Sequence, residues 1–216
     1  MRRGLMKSKN MISIQILNQI GAQYGQEFIT RFGFDPDKNP PYLTLALGAG
    51  SVTPLQMATA YSVFANGGYK IRPYIISHIT DSDGKILSQA RPEKAGDESN
   101  RVIDARNAFI MDTLLKDVDR GGTAARANIL NRPDLAGKTG TTNDSIDAWF
   151  AGYQPSLVAV AWLGFDQPRN MGGRETGSAL ALPVWISYMQ KALSGIPVEM
   201  KSPPAGVIYE NGDYYY

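Results

Sequence analysis

The chain has 216 residues, of which 43% are hydrophobic and 19% are charged, and its formal net charge is +2. A chain of this size and apolar content can bury one sizeable core. The small basic surplus is spread along the sequence, so it gives no reason to expect a nucleic-acid partner. The absence of cysteine excludes a disulfide framework, thiolate catalysis and zinc–thiolate sites. We expect no metal and no cofactor.

The first third of the sequence predicts helices. Ser8 is followed by apolar residues at helical spacing over residues 11–20, so we expect it to stand at the start of a helix that it can also cap. A second apolar-periodic stretch covers residues 28–32. Residues 51–54, Ser-Val-Thr-Pro, are typical of an N-cap followed by proline at the first helical position. That helix is expected to stop at the Asn-Gly-Gly sequence of residues 66–68.

The middle of the chain predicts a hairpin and a helix. Residues 74–80 and 85–87 are rich in β-formers and flank the turn sequence Asp-Ser-Asp-Gly. His78 lies in the first of these runs, and we expect it to be an ordinary strand residue and not the base of a Ser-His-Asp triad. Asp104 can cap a helix that ends near Gly121.

The C-terminal third predicts strands and a closing helix. A strand that contains residues 138–141 is followed by a long β run over residues 153–164, and short connections indicate successive antiparallel strands. A helix is expected over residues 179–193. Residues 196–216 show no packing pattern and are expected to be tail-like, so the predicted domain comprises residues 1–195. The fold class is therefore α+β, an antiparallel sheet flanked by helices.

A cluster of polar residues on the predicted strand indicates a peptide-binding site. Lys138 places a positive charge on the strand, and the hydroxyls of Thr139 and Thr141 can donate to a carboxylate. Gly140 between them carries no Cβ, so an extended peptide can lie alongside. Such a peptide, added as a strand, would present an amide carbonyl to backbone N–H groups that can stabilise an oxyanion. The pattern is typical of a site for a peptide that ends in a carboxylate.

A second polar group stands near the start of the chain. Ser8 has a hydroxyl that can relay a proton, and Asn10 has an amide that can orient a substrate carbonyl or a lysine. Neither residue is a nucleophile without a base. Taken alone, Ser-x-Asn is more often a helix cap with a polar neighbour, and Lys-Thr-Gly can be a strand that ends in a glycine turn.

The order of the two motifs and the sequence around them resemble a known family. Ser-x-Asn and Lys-Thr-Gly are two of the three motifs of the serine penicillin-recognising enzymes. Residues 45–58, 61–68, 136–153 and 172–185 resemble the class A, bifunctional penicillin-binding proteins of Gram-negative bacteria, and the similarity covers roughly residues 5–195. The resemblance implies a partial β-lactamase/transpeptidase-like fold whose N-terminal portion is missing.

The resemblance also implies a function. A parent of this kind is a D,D-transpeptidase that cross-links peptidoglycan stem peptides ending in D-Ala-D-Ala through a serine acyl-enzyme, and it binds β-lactams. It also carries a glycosyltransferase domain and a membrane anchor, and it works at the periplasmic face of the inner membrane. No apolar run in this sequence is long enough for an anchor or a signal peptide, so membrane attachment is expected only through an anchor outside it.

The family's roles transfer residue by residue onto the matching motifs. Ser8 and Asn10 would relay a proton and orient the substrate, and Lys138 would be the electrostatic anchor. Thr139, Gly140 and Thr141 would bind the substrate, with the two threonines recognising its carboxylate and the Thr141 N–H in the oxyanion hole.

The nucleophile motif, Ser-x-x-Lys, does not precede Ser8 in this sequence. The one literal match, Ser82 to Lys85, lies in the predicted hairpin turn, where a solvated lysine stays charged and cannot act as a base. We therefore expect that the chain by itself is not acylated by penicillin. We also expect that the missing N-terminal half of the domain would supply strands and the nucleophile helix, so apolar surface is exposed without it.

Two other functional classes remain open. The chain can be a non-catalytic peptide-carboxylate-binding or assembly module, which affinity for a D-Ala-D-Ala peptide without turnover would favour. It can also be a fragment of a β-lactamase or D,D-carboxypeptidase. The sequence of residues 45–68 and 172–185 disfavours this class, because it resembles the class A penicillin-binding proteins.

Overall fold

The structure, a computed structural model, describes residues 1–173 and 175–216. Its helices and antiparallel strands confirm the predicted α+β class. The helices are α1 (Arg2–Met6), α2 (Asn10–Ile20), α3 (Ala22–Thr30), α4 (Pro54–Ala65), α5 (Ala105–Gly121) and α6 (Leu182–Ala192). The strands are β1 (His78–Thr80), β2 (Ile86–Gln89), β3 (Ala136–Thr141), β4 (Ala148–Gln154), β5 (Leu157–Leu163), β6 (Ile208–Glu210) and β7 (Asp213–Tyr215). Position 174, inside the family-like segment 172–185, lies outside the described residues.

The central sheet is antiparallel, with the strand order β3-β4-β5. Lys138 lies opposite Ala151, and Gly140 lies opposite Trp149. Residues directly opposite each other share a face, and the face alternates along each strand. Lys138 and Trp149 are therefore on one face, which we call the cleft face.

Helices cover both faces of the sheet. On the cleft face, Ala65 of α4 packs with Ala136 and Tyr153. On the opposite face, Trp185 of α6 meets Phe150 edge to face, with 4.8 Å between ring centroids. Both of these aromatic side chains are fully buried, and burying a side chain of this size contributes roughly 1.5–3 kcal/mol. The sheet is thus packed between α4 and α6.

The predicted helix caps are present where the sequence placed them, with one exception. Thr53 and Gln56 form a capping box at the start of α4, with Pro54 in its first turn, and Asp104 accepts a hydrogen bond from the Arg106 N–H at the start of α5. The prediction that Ser8 caps a helix is wrong. α2 begins at Asn10 after a turn in which Ser8 has φ +51°, its N-cap is Lys9, and the Ser8 hydroxyl accepts a hydrogen bond from the Lys138 Nζ instead.

The hairpin is shorter than the sequence predicted, because β1 starts only at His78. Its turn is organised by the Asp81 carboxylate, which accepts hydrogen bonds from the N–H groups of Asp83 and Lys85. The hairpin projects from the surface, and its strands are exposed on both sides.

Residues 196–216, which the sequence predicted as tail-like, run over the surface of the domain and end in the β6–β7 hairpin. The Lys201 Nζ donates to the Phe64 carbonyl and to Asp112 Oδ1, at 2.7 and 2.9 Å. Tyr214 packs edge to face on Phe109. We call this segment the C-terminal strap. Its contacts are made by single side chains without a regular spacing, so the sequence carries no periodic signal for them.

Candidate active site

A cleft of about 460 Å³ lies between the start of α4 and the cleft face of the sheet. The wall on the α4 side consists mostly of apolar or small residues, and the wall on the sheet side carries the Lys-Thr-Gly motif. The lining residues are Leu47, Gly48, Gly50 to Pro54, Met57 and Tyr61 on one side, and Lys138 to Thr142, Asp147, Trp149, Ala151 and Trp162 on the other.

Lys138 is the charged centre of the cleft. Its Nζ donates to Ser8 Oγ and to the Thr139 carbonyl, both at 2.9 Å. Burial lowers the pKa of Lys138 to about 8, because the charged form loses hydration. Within the described ranges it forms no ion pair with a carboxylate, so its charge is available to an anionic ligand.

The two threonine hydroxyls of the motif are held by neighbouring segments. Thr139 Oγ1 lies 2.7 Å from Thr123 Oγ1. Thr141 Oγ1 accepts a hydrogen bond from the Gly177 N–H at 3.0 Å, so its own proton can be donated to a ligand. Gly177 must be glycine here, since a Cβ would lie 2.4 Å from the Gly140 carbonyl oxygen. Thr139 and Thr141 alternate with Lys138 along β3, so their hydroxyls border the cleft at the outer edge of the strand, where these two contacts hold them.

β3 is the outer strand of the sheet, and in the part of the chain that the structure describes no strand pairs with its other edge. An outer strand presents backbone N–H and C=O groups that an extended peptide can bind. Lys138 and the threonine hydroxyls therefore stand beside an edge that can accept a peptide strand.

An aromatic pair closes one end of the cleft. The rings of Trp149 and Trp162 are 5.9 Å apart, and the Trp162 Nε1 donates to Asp147 Oδ1 at 2.8 Å. Neither tryptophan was predicted as a site residue. Counting back from the short turn after Gln154 could have placed Trp149 opposite Trp162, whereas the position of Trp149 opposite Gly140 depends on the longer connection between β3 and β4.

The structure brings some of the predicted site residues together. Ser8 and Lys138, 130 positions apart in the sequence, share a hydrogen bond. Asn10 lies in the first turn of α2 with an exposed side chain, and no hydrogen bond joins it to the cleft in the ranges 1–173 and 175–216. Its assignment as an orienting group stays a prediction.

The two rejected alternatives are remote from the cleft. Ser82 and Lys85 lie at the tip of the exposed β1–β2 hairpin, where the lysine is not desolvated. His78 is exposed, and its Nδ1 lies 3.0 Å from the hydroxyl of the adjacent Ser77. Neither arrangement places a buried base next to a serine.

Comparison with known proteins agrees with this geometry. The model of the penicillin binding protein transpeptidase domain matches residues 1–181. Penicillin-binding protein 1A of Neisseria lactamica is 50% identical over 215 residues, which are 100% of this chain and 27% of that protein. Penicillin-binding protein 1A of Pseudomonas aeruginosa is 42% identical over 253 residues, covering 96% of this chain and 31% of that protein. The crystal structure of penicillin-binding protein 1A from Haemophilus influenzae superimposes with a TM-score of 0.90 and 39% identity, over 96% of this chain and 36% of that chain.

The chain therefore belongs to the penicillin binding protein transpeptidase domain family, which confirms the resemblance to penicillin-binding proteins of Gram-negative bacteria drawn from the motifs, and the relatives named above are of the 1A type. It spans between about a quarter and a third of the length of these relatives. Among its described helices, none combines the length and the apolar character that crossing a membrane requires.

Proposed function

We propose that this chain forms the Lys-Thr-Gly half of a D,D-transpeptidase site that cross-links peptidoglycan stem peptides ending in D-Ala-D-Ala. The observation that carries the proposal is the hydrogen bond between Lys138 and Ser8 beside the open edge of β3. It unites two family motifs that are far apart in the sequence, at a site suited to a peptide carboxylate.

In this function the stem peptide lies along the outer edge of β3. Lys138 and the hydroxyls of Thr139 and Thr141 bind its terminal carboxylate, since charge-assisted hydrogen bonds are the stronger class. The Thr141 N–H points to the position where the carbonyl oxygen becomes negative in the tetrahedral intermediate. The same groups accept a β-lactam, whose carboxylate and amide carbonyl resemble those of the peptide terminus.

The covalent step needs a serine that these residues do not supply. Its Oγ would form an ester with the penultimate D-alanine carbonyl carbon, the amide C–N bond would break, and terminal D-alanine would leave with a proton. Ser8, bonded to Lys138, is placed to relay that proton, because the lowered pKa of Lys138 lets it exchange a proton near neutral pH. An amine of a second stem would then displace the serine from the acyl group.

The nucleophile would come from a helix seated on the apolar part of the cleft. Met57, Tyr61 and Ala151 line this part, which offers an apolar surface next to Lys138. The outer edge of β5 is also open in the described part of the sheet, and the strand reads Leu-Val-Ala-Val-Ala-Trp-Leu without a charge. Both surfaces suit further segments of a longer transpeptidase domain.

In this proposal the site works at the periplasmic face of the bacterial inner membrane. A membrane anchor and a glycosyltransferase domain would lie in other parts of a longer protein. Peptidoglycan stem peptides and β-lactams are the ligands, and nucleic acid is not one.

Fluorescent penicillin tests where the nucleophile lies. The 216-residue chain is incubated with it and examined by intact mass, and we expect no covalent adduct. A matched protein extended at its N-terminus by the preceding segment of the Neisseria relative is expected to be labelled at a Ser-x-x-Lys serine. Stoichiometric labelling of any serine within the 216 residues would contradict the proposal.

The module alternative is favoured by one observation, the available charge of Lys138 beside two hydroxyls. Calorimetric titration with a peptide ending in D-Ala-D-Ala separates the possibilities, with the C-terminally amidated peptide as control. Binding of the acid but not the amide, without release of D-alanine, supports a carboxylate-binding module. Release of D-alanine by the chain alone would instead indicate a carboxypeptidase.

A further inference from the structure

The last turn of α5 and the residues after it contact the loop that carries Ser8. The Lys7 Nζ donates to the Gly121 carbonyl at 2.7 Å, and the Thr123 N–H donates to the Met6 carbonyl at 3.3 Å. Gly122 permits this approach, because a Cβ there would lie 2.4 Å from the Met6 carbonyl oxygen. These contacts fasten the turn before Ser8 to the end of α5.

The same residues contact the Lys-Thr-Gly strand from the other side. Thr123 Oγ1 lies 2.7 Å from Thr139 Oγ1, and Thr139 immediately follows Lys138. Thr123 is β-branched, so its χ1 angle is restricted and its hydroxyl has a defined direction. Thr123 therefore contacts the loop of Ser8 through its backbone and the strand of Lys138 through its side chain.

We infer that Thr123 is a positioning residue for the transpeptidase site. Its hydroxyl holds Thr139 in the single rotamer that presents the Thr139 hydroxyl to the substrate carboxylate. Its backbone bond to Met6 keeps Ser8 within reach of Lys138. The inference deepens the proposed function and rests on it for the identity of the ligand.

Two variants separate the hydroxyl from the bulk of the side chain. Thr123→Val keeps the shape and removes the hydrogen bond, and Thr123→Ser keeps the hydroxyl and removes a methyl group. Thr30→Val is the matched control, since among the residues that the structure describes the Thr30 hydroxyl donates only to the Glu27 carbonyl of the same helix.

The first readout is the three-bond coupling between the backbone and Cγ2 of Thr139, measured by NMR, which reports its χ1 rotamer without any ligand. We expect one rotamer in the native chain, in Thr123→Ser and in Thr30→Val, and averaging over rotamers in Thr123→Val. A Thr139 side chain that is already averaged in the native chain would overturn the inference, whether or not any variant folds.

The second readout is the affinity for a peptide ending in D-Ala-D-Ala. We expect about a tenfold loss in Thr123→Val, the size of one ordinary hydrogen bond, and recovery in Thr123→Ser. Equal losses in both variants would mean that Thr123 only fills space and would overturn the inference. If the native chain bound no peptide while the couplings changed as expected, the proposed function would fail and the positioning of Thr139 by Thr123 would stand.

Discussion

Among single residues, Lys138 and Asp119 show how burial changes the pKa of a titratable side chain. Lys138 is desolvated but keeps hydrogen bonds to Ser8 and to a carbonyl, so its pKa falls only to about 8. Asp119, 3% exposed, has no hydrogen-bond partner for either carboxylate oxygen among the described residues, and burial raises its pKa well above the usual range. Lys138 lines the cleft and is suited to binding a ligand, whereas the buried carboxyl of Asp119 lowers the stability of the folded state.

Binding of a peptide carboxylate should weaken as pH rises through about 8. The charged form of Lys138 binds the anion, and a bound anion raises the pKa of Lys138, so affinity falls between the free and the bound pKa values by up to about tenfold per pH unit. Calorimetric titrations from pH 6 to 9.5 measure this. Lys138→Arg stays charged and should show no such slope, and a pH-independent affinity of the native chain would refute the assignment.

Replacing Asp119 with asparagine should stabilise the protein at pH 7, because the amide never ionises; the gain is about 1.4 kcal/mol for each unit by which burial raises the carboxyl pKa, counted up to that pH. The folded state binds the Asp119 proton more tightly than the unfolded state, so native stability falls as pH rises above the unfolded carboxyl pKa. Near pH 4 the gain should be small. Denaturant melts of the N-terminally extended protein at both pH values measure this, with Asp83→Asn in the exposed hairpin turn as control. An unchanged or lower stability at pH 7 would be inconsistent with this account.

At the scale of elements, the C-terminal strap adds a charged contact to the core. Lys201 reaches Asp112, which is buried and also accepts a hydrogen bond from the Tyr153 hydroxyl and pairs with Lys116. Burial lowers the pKa of Lys201, and the neighbouring Asp112 opposes that shift. The strap thereby joins α4, α5 and β4.

Lys201→Met should lower the free energy of unfolding by roughly 1–3 kcal/mol, because Asp112 and the Phe64 carbonyl each lose a buried donor while the length of the side chain is kept. Lys191→Met, on the exposed side of α6, should change stability by less than about 0.5 kcal/mol. Equal effects of the two substitutions in urea melts of the N-terminally extended protein would show that the strap contributes nothing specific.

At the scale of the whole molecule, the described part of the chain leaves apolar surface open. The cleft beside Met57 and Tyr61 is one such surface, and the segment before the β1–β2 hairpin, where Ile75 is 92% exposed, is another. The outer edge of β5 adds unpaired backbone groups. Surfaces of this kind mark contacts with other segments.

The 216-residue chain should therefore bind a hydrophobic dye and melt broadly, and the N-terminally extended protein should do neither. Dye fluorescence and calorimetric melting of the two proteins compare them directly. A sharp two-state melt of the 216-residue chain without dye uptake would contradict the prediction.

The family, the α+β class and most of the local structure could be predicted from residue types and their spacing. Caps such as Thr53 and Asp104, and the strand around Lys138, follow from neighbouring residues, and local rules are sufficient for them. The same rules wrongly predicted that Ser8 caps a helix. The Ser8 hydroxyl instead accepts a hydrogen bond from Lys138, which lies 130 residues further along the chain.

Which side chains meet depends on how distant segments pack together. The pairing of Thr123 with Thr139, the buried place of Lys201 and the lowered pKa of Lys138 each depend on segments distant in the sequence. Single contacts of this kind leave no periodic pattern, and desolvation depends on everything that surrounds a group. Residue types and their spacing thus predicted the chemistry of the site, and the packing of α4, α5 and the sheet set its geometry.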